Sequence, residues 1–314
     1  MGFKVNCTSY LCCHNKIENI KMVHKAGFVN IIGNPNVGKS TLMNVFVGEK
    51  ISIITSKSQT TRHRILGIVN GEDFQIVYSD TPGVVKPAYK LQESMLNFSK
   101  SALSDADVLL YVTDIYEKID KNADFLKMVK AATVPVLLIL NKIDQSNDEE
   151  LDNLVEQWQT EFPNAEVIPT SALKKFNTDN IFNRILDLLP ESEAFYPKDQ
   201  LTDKTERFFV QEIIREKILK FYKKEVPYAT EIEVEDFKED DKIIRMRAII
   251  YVERPTQKGI IIGHKGVAIK KVGVESRKDL EKFFDKQVHI ELFVKVKKNW
   301  RSQEDDLKKF GYQQ

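Results

Sequence analysis

Cysteine is nearly absent from this chain. Of 314 residues three are cysteine, Cys7, Cys12 and Cys13, and all of them fall within the first 13 positions. The rest of the chain therefore forms no disulfide and no thiolate metal site, which fits a reducing compartment. Cys12, Cys13 and His14 lack the paired spacing of a zinc finger, and the five histidines are scattered rather than clustered for a metal. Long apolar runs are missing too. Runs such as 108–112 and 136–140 are far shorter than the roughly 20 residues that cross a bilayer as a helix. There is no internal repeat and no low-complexity segment. Net charge is only +1, with 42% apolar and 30% charged residues, a globular composition. The length suggests two domains, each large enough for its own core.

What charge there is lies unevenly. Residues 201–314 hold 26 Lys and Arg against 21 Asp and Glu, and within 254–301 the count is 13 basic to 5 acidic. A basic C-terminal stretch points to a polyanionic partner. Residues 1–24 have little periodicity, are rich in Lys and Asn, and lack the apolar core of a signal peptide. Residues 1–25 are expected to be an N-terminal extension, with 1–21 either disordered or upstream of a true start at Met22.

Between 28 and 189 apolar strands alternate with amphipathic helices, the pattern of a mostly parallel sheet with helices on both faces. The pattern predicts strands over 28–32, 65–70, 74–79, 107–113, 136–140 and 166–170. Helices are expected over 39–47, 91–103, 120–131, 148–160 and 178–188. Asn70-Gly71-Glu72-Asp73 reads as a hairpin turn, so one antiparallel edge is expected. Two prolines and several charges mark 190–204 as a connection, giving domains over 26–190 and 205–314. In the second, a helix over 205–222 is followed by strands over 230–237 and 243–252. A Gly-containing loop over 259–266, a helix over 268–284 and a strand over 288–296 complete it.

The chemistry centres on Gly33-Asn34-Pro35-Asn36-Val37-Gly38-Lys39-Ser40-Thr41. It joins an apolar strand to a helix, the expected setting of a G-x-x-x-x-G-K-[ST] phosphate-binding loop. Its glycines let successive N–H groups turn toward phosphate oxygens at a helix N-terminus. Lys39 can reach the β- and γ-phosphates, and the Ser40 hydroxyl can ligate Mg²⁺. Asp80-Thr81-Pro82-Gly83 follows the next strand but one, placing a carboxylate for the Mg²⁺ shell and a Gly83 N–H that can sense a γ-phosphate. Asn141-Lys142-Ile143-Asp144 follows a further strand. The Asp144 carboxylate can accept both the N1 and N2 hydrogens of guanine, which adenine does not offer, and a buried acceptor rejects a ligand that leaves it unpaired. Asn141 can reach N7 and brace the phosphate loop, and the Lys142 stem can lie over the base. In Thr170-Ser171-Ala172-Leu173, small residues let backbone N–H groups approach the base O6. In Ser58-Gln59-Thr60-Thr61-Arg62-His63-Arg64 either Thr60 or Thr61 can complete the Mg²⁺ shell when a γ-phosphate is present, Thr61 being favoured by its place beside Arg62.

Together these are the five motifs of a GTPase in order. The chain closely resembles the Era family of bacterial GTPases over residues 26–314. The carrying residues are the motifs above with 212–217, Ile261-Ile262-Gly263-His264-Lys265-Gly266, Trp300 and Gly311-Tyr312. Gly263-His264-Lys265-Gly266, between a strand pair and a helix, resembles the G-x-x-G loop with which a KH domain clamps single-stranded RNA. Lys258, Lys265, Lys270 and Lys271 surround it. The resemblance implies an α/β GTPase domain followed by a smaller α+β type II KH domain. It implies GTP and GDP as ligands with Mg²⁺, and small-subunit ribosomal RNA and the 30S precursor as partners. It further implies a role in 30S assembly and a cytoplasmic monomer, with the loose peripheral membrane association described for some members. Where many GTPases carry a water-orienting Gln after D-x-x-G, this chain has Val84 and Val85. Related GTPases use K⁺ held partly by a phosphate-loop Asn, and Asn36 is at the matching place. No residue stands out as a general base. Two alternatives belong to other classes: a GTPase whose C-terminal domain docks on a protein or membrane, and a nucleotide-bound scaffold without turnover.

Overall fold

The computed structural model describes residues 24–119 and 121–312. The expectation for the first 23 residues, the Met22 start included, lies outside the described residues.

The N-terminal half runs β1 (Lys25–Gly33), α1 (Lys39–Val47), β2 (Ile65–Asn70), β3 (Phe74–Asp80), α2 (Lys90–Ser104), β4 (Val108–Asp114), α3 (Ala123–Lys130), β5 (Val136–Asn141), α4 (Asp148–Glu161), β6 (Glu166–Pro169) and α5 (Thr178–Leu188). The strands form a six-stranded sheet in the order β2-β3-β1-β4-β5-β6. Only the β2–β3 hairpin is antiparallel; the remaining pairs are parallel. The central strand β4 is apolar over most of its length because both of its faces are covered. On one face α1 and α5 contribute Leu42, Met43, Phe46, Ile181 and Ile185 to the core. On the other, Ala102 of α2, Phe125, Leu126 and Val129 of α3 and Trp158 of α4 pack together. Helix α4 starts where its sequence says it should: the Asn147 side chain accepts from the Glu150 N–H at 2.9 Å, and three acidic residues occupy its first turn. Strands β3 and β4 flank β1, and the chain leaves β1 at the carboxyl edge of the sheet where ligands of doubly wound folds bind.

Strand β1 begins earlier than expected and takes in a residue assigned above to the leading extension. Lys25 pairs in register with Phe74 and its N–H donates to Asp73 O at 2.9 Å. The connection over 190–204 lies along the sheet edge. Ile68 N–H donates to Leu201 O at 2.8 Å, Thr202 Oγ1 to Leu66 O at 2.6 Å, and the Gln75 side chain accepts from the N–H groups of Phe195 and Tyr196. The open edge strand β2 is thereby covered.

The second unit runs α6 (Glu206–Phe221), β7 (Glu231–Glu239), β8 (Ile243–Val252), α7 (Pro255–Ile262), α8 (Val267–Phe284), β9 (Gln287–Val296) and α9 (Glu304–Lys309). Its sheet is β7-β8-β9, antiparallel between β7 and β8 and parallel between β8 and β9. Ile214, Ile218, Ile250, Val272, Leu280 and Val294 fill the space between sheet and helices. One expectation is corrected here. Residues 259–262 are helical, not loop: Pro255 sits in the first turn, and the Gln257 side chain accepts from the N–H groups of Glu253 and Arg254 at 3.0 Å, closing the helix start. The alternation of β7 is also broken by a register shift between Val234 and Asp236.

Candidate functional site

The phosphate loop spans the turn from β1 to α1. Gly38, at φ 103° on the threshold of α1, lies so close to Asn141 that a Cβ would meet its Nδ2 at 2.1 Å. The Lys39 ammonium donates to Gly33 O at 3.1 Å and Asn34 O at 2.8 Å, lying across the loop it belongs to. Burial pushes Lys39 down to about 8, against the opposing pull of Asp80. A cleft of about 370 Å³ opens here, lined by Pro35, Asn36, Gly38, Lys39, Ser40, Thr41, Thr61, Gly83 and Lys142 among others.

The three residues expected at the metal come together. Ser40 Oγ donates to Asp80 Oδ2 at 2.7 Å and lies 2.9 Å from Thr61 Oγ1, which itself donates to Asp80 Oδ2 at 3.2 Å. Thr60 turns the other way, its hydroxyl bonded to Lys57 O at 2.6 Å and to Thr55 Oγ1 at 2.7 Å. Asp80 is fully buried, its other oxygen has no hydrogen-bond partner, and burial raises its pKa. A buried carboxylate with one idle oxygen beside two hydroxyls is an all-oxygen donor set suited to a hard cation such as Mg²⁺. Thr81 is used structurally, its hydroxyl donating to Ile31 O at 2.8 Å. Pro82 O accepts from Ser99 at 2.7 Å. Val84 is buried among Ile32, Leu109 and Tyr111 and presents no polar group to the cleft.

The far end of the cleft is built around Asn141. Its Nδ2 donates to Val37 O at 2.8 Å, and its Oδ1 accepts from the Ala172 N–H at 2.9 Å. One side chain thus ties the phosphate loop to the Ser171-Ala172 loop. Asp144 lies exposed beyond it, accepting from Ser171 Oγ at 2.5 Å, and Ile143 N–H donates to Thr170 O at 3.3 Å. Lys142, at φ 65°, pairs with Asp114 at 2.5 Å. Asn36 is exposed at φ 66° and donates to Ser56 O at 3.1 Å, so it links the phosphate loop to the segment before Thr61.

The second site lies between α7 and α8. Residues 264–266 make a single 3₁₀ turn with Lys265 at φ 49°. Gly263 (φ 72°, ψ 176°) takes a conformation only glycine adopts freely, and a Cβ there would meet Ala268 Cβ at 2.6 Å. Lys258, His264, Lys265 and Lys270 are exposed around the turn with the apolar Ile260 and Val267. Lys271 points elsewhere, its ammonium over the Phe221 ring at 4.5 Å. Beside the turn a groove of about 360 Å³ is lined by Ile269, Lys270, Gly273, Val274 and Arg277 of α8 with His289, Ile290 and Leu292 of β9. Of these only Lys270 was singled out from the sequence. The rest belong to one helix and one strand, and only their pairing in space shows a groove.

The sequence also gave no sign of how closely the two sites are joined. Arg62, fully buried, donates to Thr230 O at 2.8 Å, Glu231 Oε2 at 3.1 Å and Tyr228 O at 3.1 Å. Tyr312 OH donates to the same Glu231 oxygen at 2.6 Å. His63 stacks on the Tyr312 ring at 4.2 Å, and burial, with Arg215, Lys204 and Arg62 nearby, pushes its pKa down to about 3. Trp300, Leu307 and Tyr312 pack on Leu91 and Met95 of α2.

Comparison with known proteins agrees with this geometry. Residues 28–142 match the family described as 50S ribosome-binding GTPase, and residues 225–301 match the KH domain family. The chain is 43% identical over 291 residues to GTPase Era of Staphylococcus haemolyticus, covering 92% of this chain and 97% of that protein. It is 41% identical over the same span to GTPase Era of Staphylococcus epidermidis. Its structure superimposes with a TM-score of 0.89, at 36% identity, on Era in complex with MgGDPNP and nucleotides 1506–1542 of 16S ribosomal RNA, covering 93% of this chain and all of that one. It matches a variant of Aquifex aeolicus Era bound to GDP and aluminium fluoride with a TM-score of 0.88.

Proposed function

The chain belongs to the Era family of GTPases, and from that premise we propose that it is a GTP-hydrolysing switch that grips small-subunit ribosomal RNA through its KH domain and assists 30S assembly. The observation that carries this reading is the pair of sites itself. Ser40, Thr61 and Asp80 meet at one point of a phosphate-binding cleft, and the residue after Thr61 is buried in the domain that bears the G-x-x-G turn.

The residues divide the work. Backbone N–H groups of 36–41 and the Lys39 ammonium bind the phosphates of GTP or GDP. Asp144 selects guanine, and Ser171 holds its carboxylate in place. Ser40, Thr61 and Asp80 would hold Mg²⁺, which would offset the charge that develops on the phosphates. Thr61 belongs to the GTP state: its segment is held while a γ-phosphate is present and released after hydrolysis. Val84 cannot orient water, so the hydrolytic step depends on main-chain donors and, in this reading, on K⁺ beside Asn36.

At the other site the turn over 263–266 receives RNA phosphates, and exposed Lys258, His264, Lys265 and Lys270 supply charge. Lys271, turned onto Phe221, is the least engaged of that set. The groove between α8 and β9 offers apolar wall for unstacked bases. Location follows the partner and is cytoplasmic. Among the described residues no helix is long and apolar enough to cross a membrane, so contact with the cell membrane would be peripheral.

Phosphate release from GTP and from ATP, with and without a small-subunit ribosomal RNA 3′ fragment, tests the reading. Release from GTP alone, and retention of the RNA by the protein, are expected. Equal use of ATP, or no retention, contradicts it.

A further inference from the structure

Val84 stands where a water-orienting side chain would act, yet both of its main-chain groups are held from outside its own segment. Its N–H donates to Gly33 O at 3.2 Å, in the phosphate loop. Its carbonyl accepts from Asn122 Nδ2 at 3.0 Å. The same amide of Asn122 also donates to Asn34 Oδ1 in the phosphate loop. Asn122 sits at φ 57° on the threshold of α3, where an Asn side chain commonly caps its own helix; here it makes no cap bond. Its amide is used instead on the nucleotide cleft. The two segments it joins, through the Val84 carbonyl and the Asn34 side chain, already lie close together, since a Cβ on Gly83 would meet Pro35 Cα at 2.6 Å.

We propose that Asn122 is a positioning residue for GTP hydrolysis, fixing the main chain of Gly83 and Val84 against the phosphate loop in the geometry the transition state requires. The proposal rests on the GTPase reading above. With no side chain after Gly83 able to hold water, the Gly83 N–H shares with Lys39 and the cations the stabilisation of developing charge, so its placement matters. A donor that shifts by a fraction of an ångström loses much of that effect. In the ground state GTP and GDP are already held by Lys39, the loop N–H groups and Asp144. Asn122 touches none of the atoms that bind the base or the α- and β-phosphates, so its loss falls on the chemical step.

Asn122→Gly tests this cleanly, because glycine takes φ near +60° without strain and only the amide is removed. Turnover of GTP is expected to fall about tenfold or more, with affinity for GDP–aluminium fluoride falling by a similar factor, while GDP affinity and melting temperature hold. Asn34→Ala, which removes one of the two acceptors, is expected to give a smaller loss of the same kind. Unchanged turnover in Asn122→Gly, or GDP affinity falling in step with turnover, overturns the proposal. Absence of turnover in the unsubstituted protein would instead overturn the GTPase reading on which it rests.

Discussion

Thr61 and Arg62 are neighbours in the chain and face opposite domains. Thr61 donates its hydroxyl to Asp80 and lies against the Ser40 hydroxyl beside the phosphate loop. Arg62 buries its guanidinium against Thr230 and Glu231 at the start of β7. Two adjacent side chains thus tie one short segment to the nucleotide cleft on one side and to the KH domain on the other. Around this hinge point lie other links: Arg215 reaches Gln59 O at 3.5 Å, and Lys50 pairs with Glu216 at 3.1 Å.

Arg62 is therefore expected to carry information as well as stability. Removing it alone leaves the Glu231 carboxylate buried, and Arg62→Ala should cost about 3 kcal/mol or more of folding stability. The double variant Arg62→Met, Glu231→Gln removes both charges and should recover much of that loss. Thermal unfolding measures this part. In the double variant RNA affinity should no longer respond to the nucleotide; full retention of the response would show that coupling runs elsewhere.

Lys39 gives nucleotide binding a pH dependence of known sign. Burial holds it at about 8 in the free protein, and nucleotide phosphates favour its charged form. Below that value binding finds the ammonium already protonated. Above it binding takes up a proton, so GDP affinity should decline with rising pH, approaching tenfold per unit at about pH 9. Titration calorimetry in buffers of different ionisation enthalpy reads the proton directly. A flat affinity from about pH 7 to 9 contradicts the assignment. The same shift makes the free protein's Lys39 contribution to stability rise with pH between the two values, because there the unfolded chain holds the extra proton.

Much of the first domain was legible because its signals are local. Strand-turn-helix around Gly38, the apolar run of β4 and the Asn147 cap each announce themselves within a few residues. The helix over Pro255–Ile262 is hard to read because it is short and carries Gly259, a poor helix former, in its interior. Arg62, Tyr312 and Asn122 were missed, or read only as part of a motif, for a different reason. Their partners lie about 170, 80 and 90 residues away in the chain, and nothing in a periodic pattern records a bond across that distance.

Asn36 is exposed at the mouth of the cleft and bonded to Ser56 O. If it helps hold K⁺ beside the phosphates, hydrolysis in potassium should exceed that in sodium, and Asn36→Ala should be slow in both. Phosphate release under matched ionic strength measures this. Rates equal in the two salts for both proteins contradict it.

Gly266 separates RNA binding from folding. It lies at φ 78°, ψ 9°, left-handed backbone that Asp adopts at a modest cost, and no heavy atom lies within 4 Å of where its Cβ would stand. Gly266→Asp should lower the melting temperature slightly and leave intrinsic GTP turnover unchanged. By placing a carboxylate where RNA phosphates approach, it should weaken RNA binding about tenfold or more. Gel-shift titration measures the affinity, and an unaltered value would remove the turn from the RNA site.

The central claim is that the nucleotide governs the grip on RNA. Its most direct test is the equilibrium affinity of the intact protein for a fragment from the 3′ end of small-subunit ribosomal RNA, measured with a non-hydrolysable GTP analogue, with GDP and with no nucleotide. The account predicts an affinity in the GTP-analogue state that differs at least about fivefold from the GDP state, the usual scale of coupling between sites. Equal affinities in all three states would contradict it.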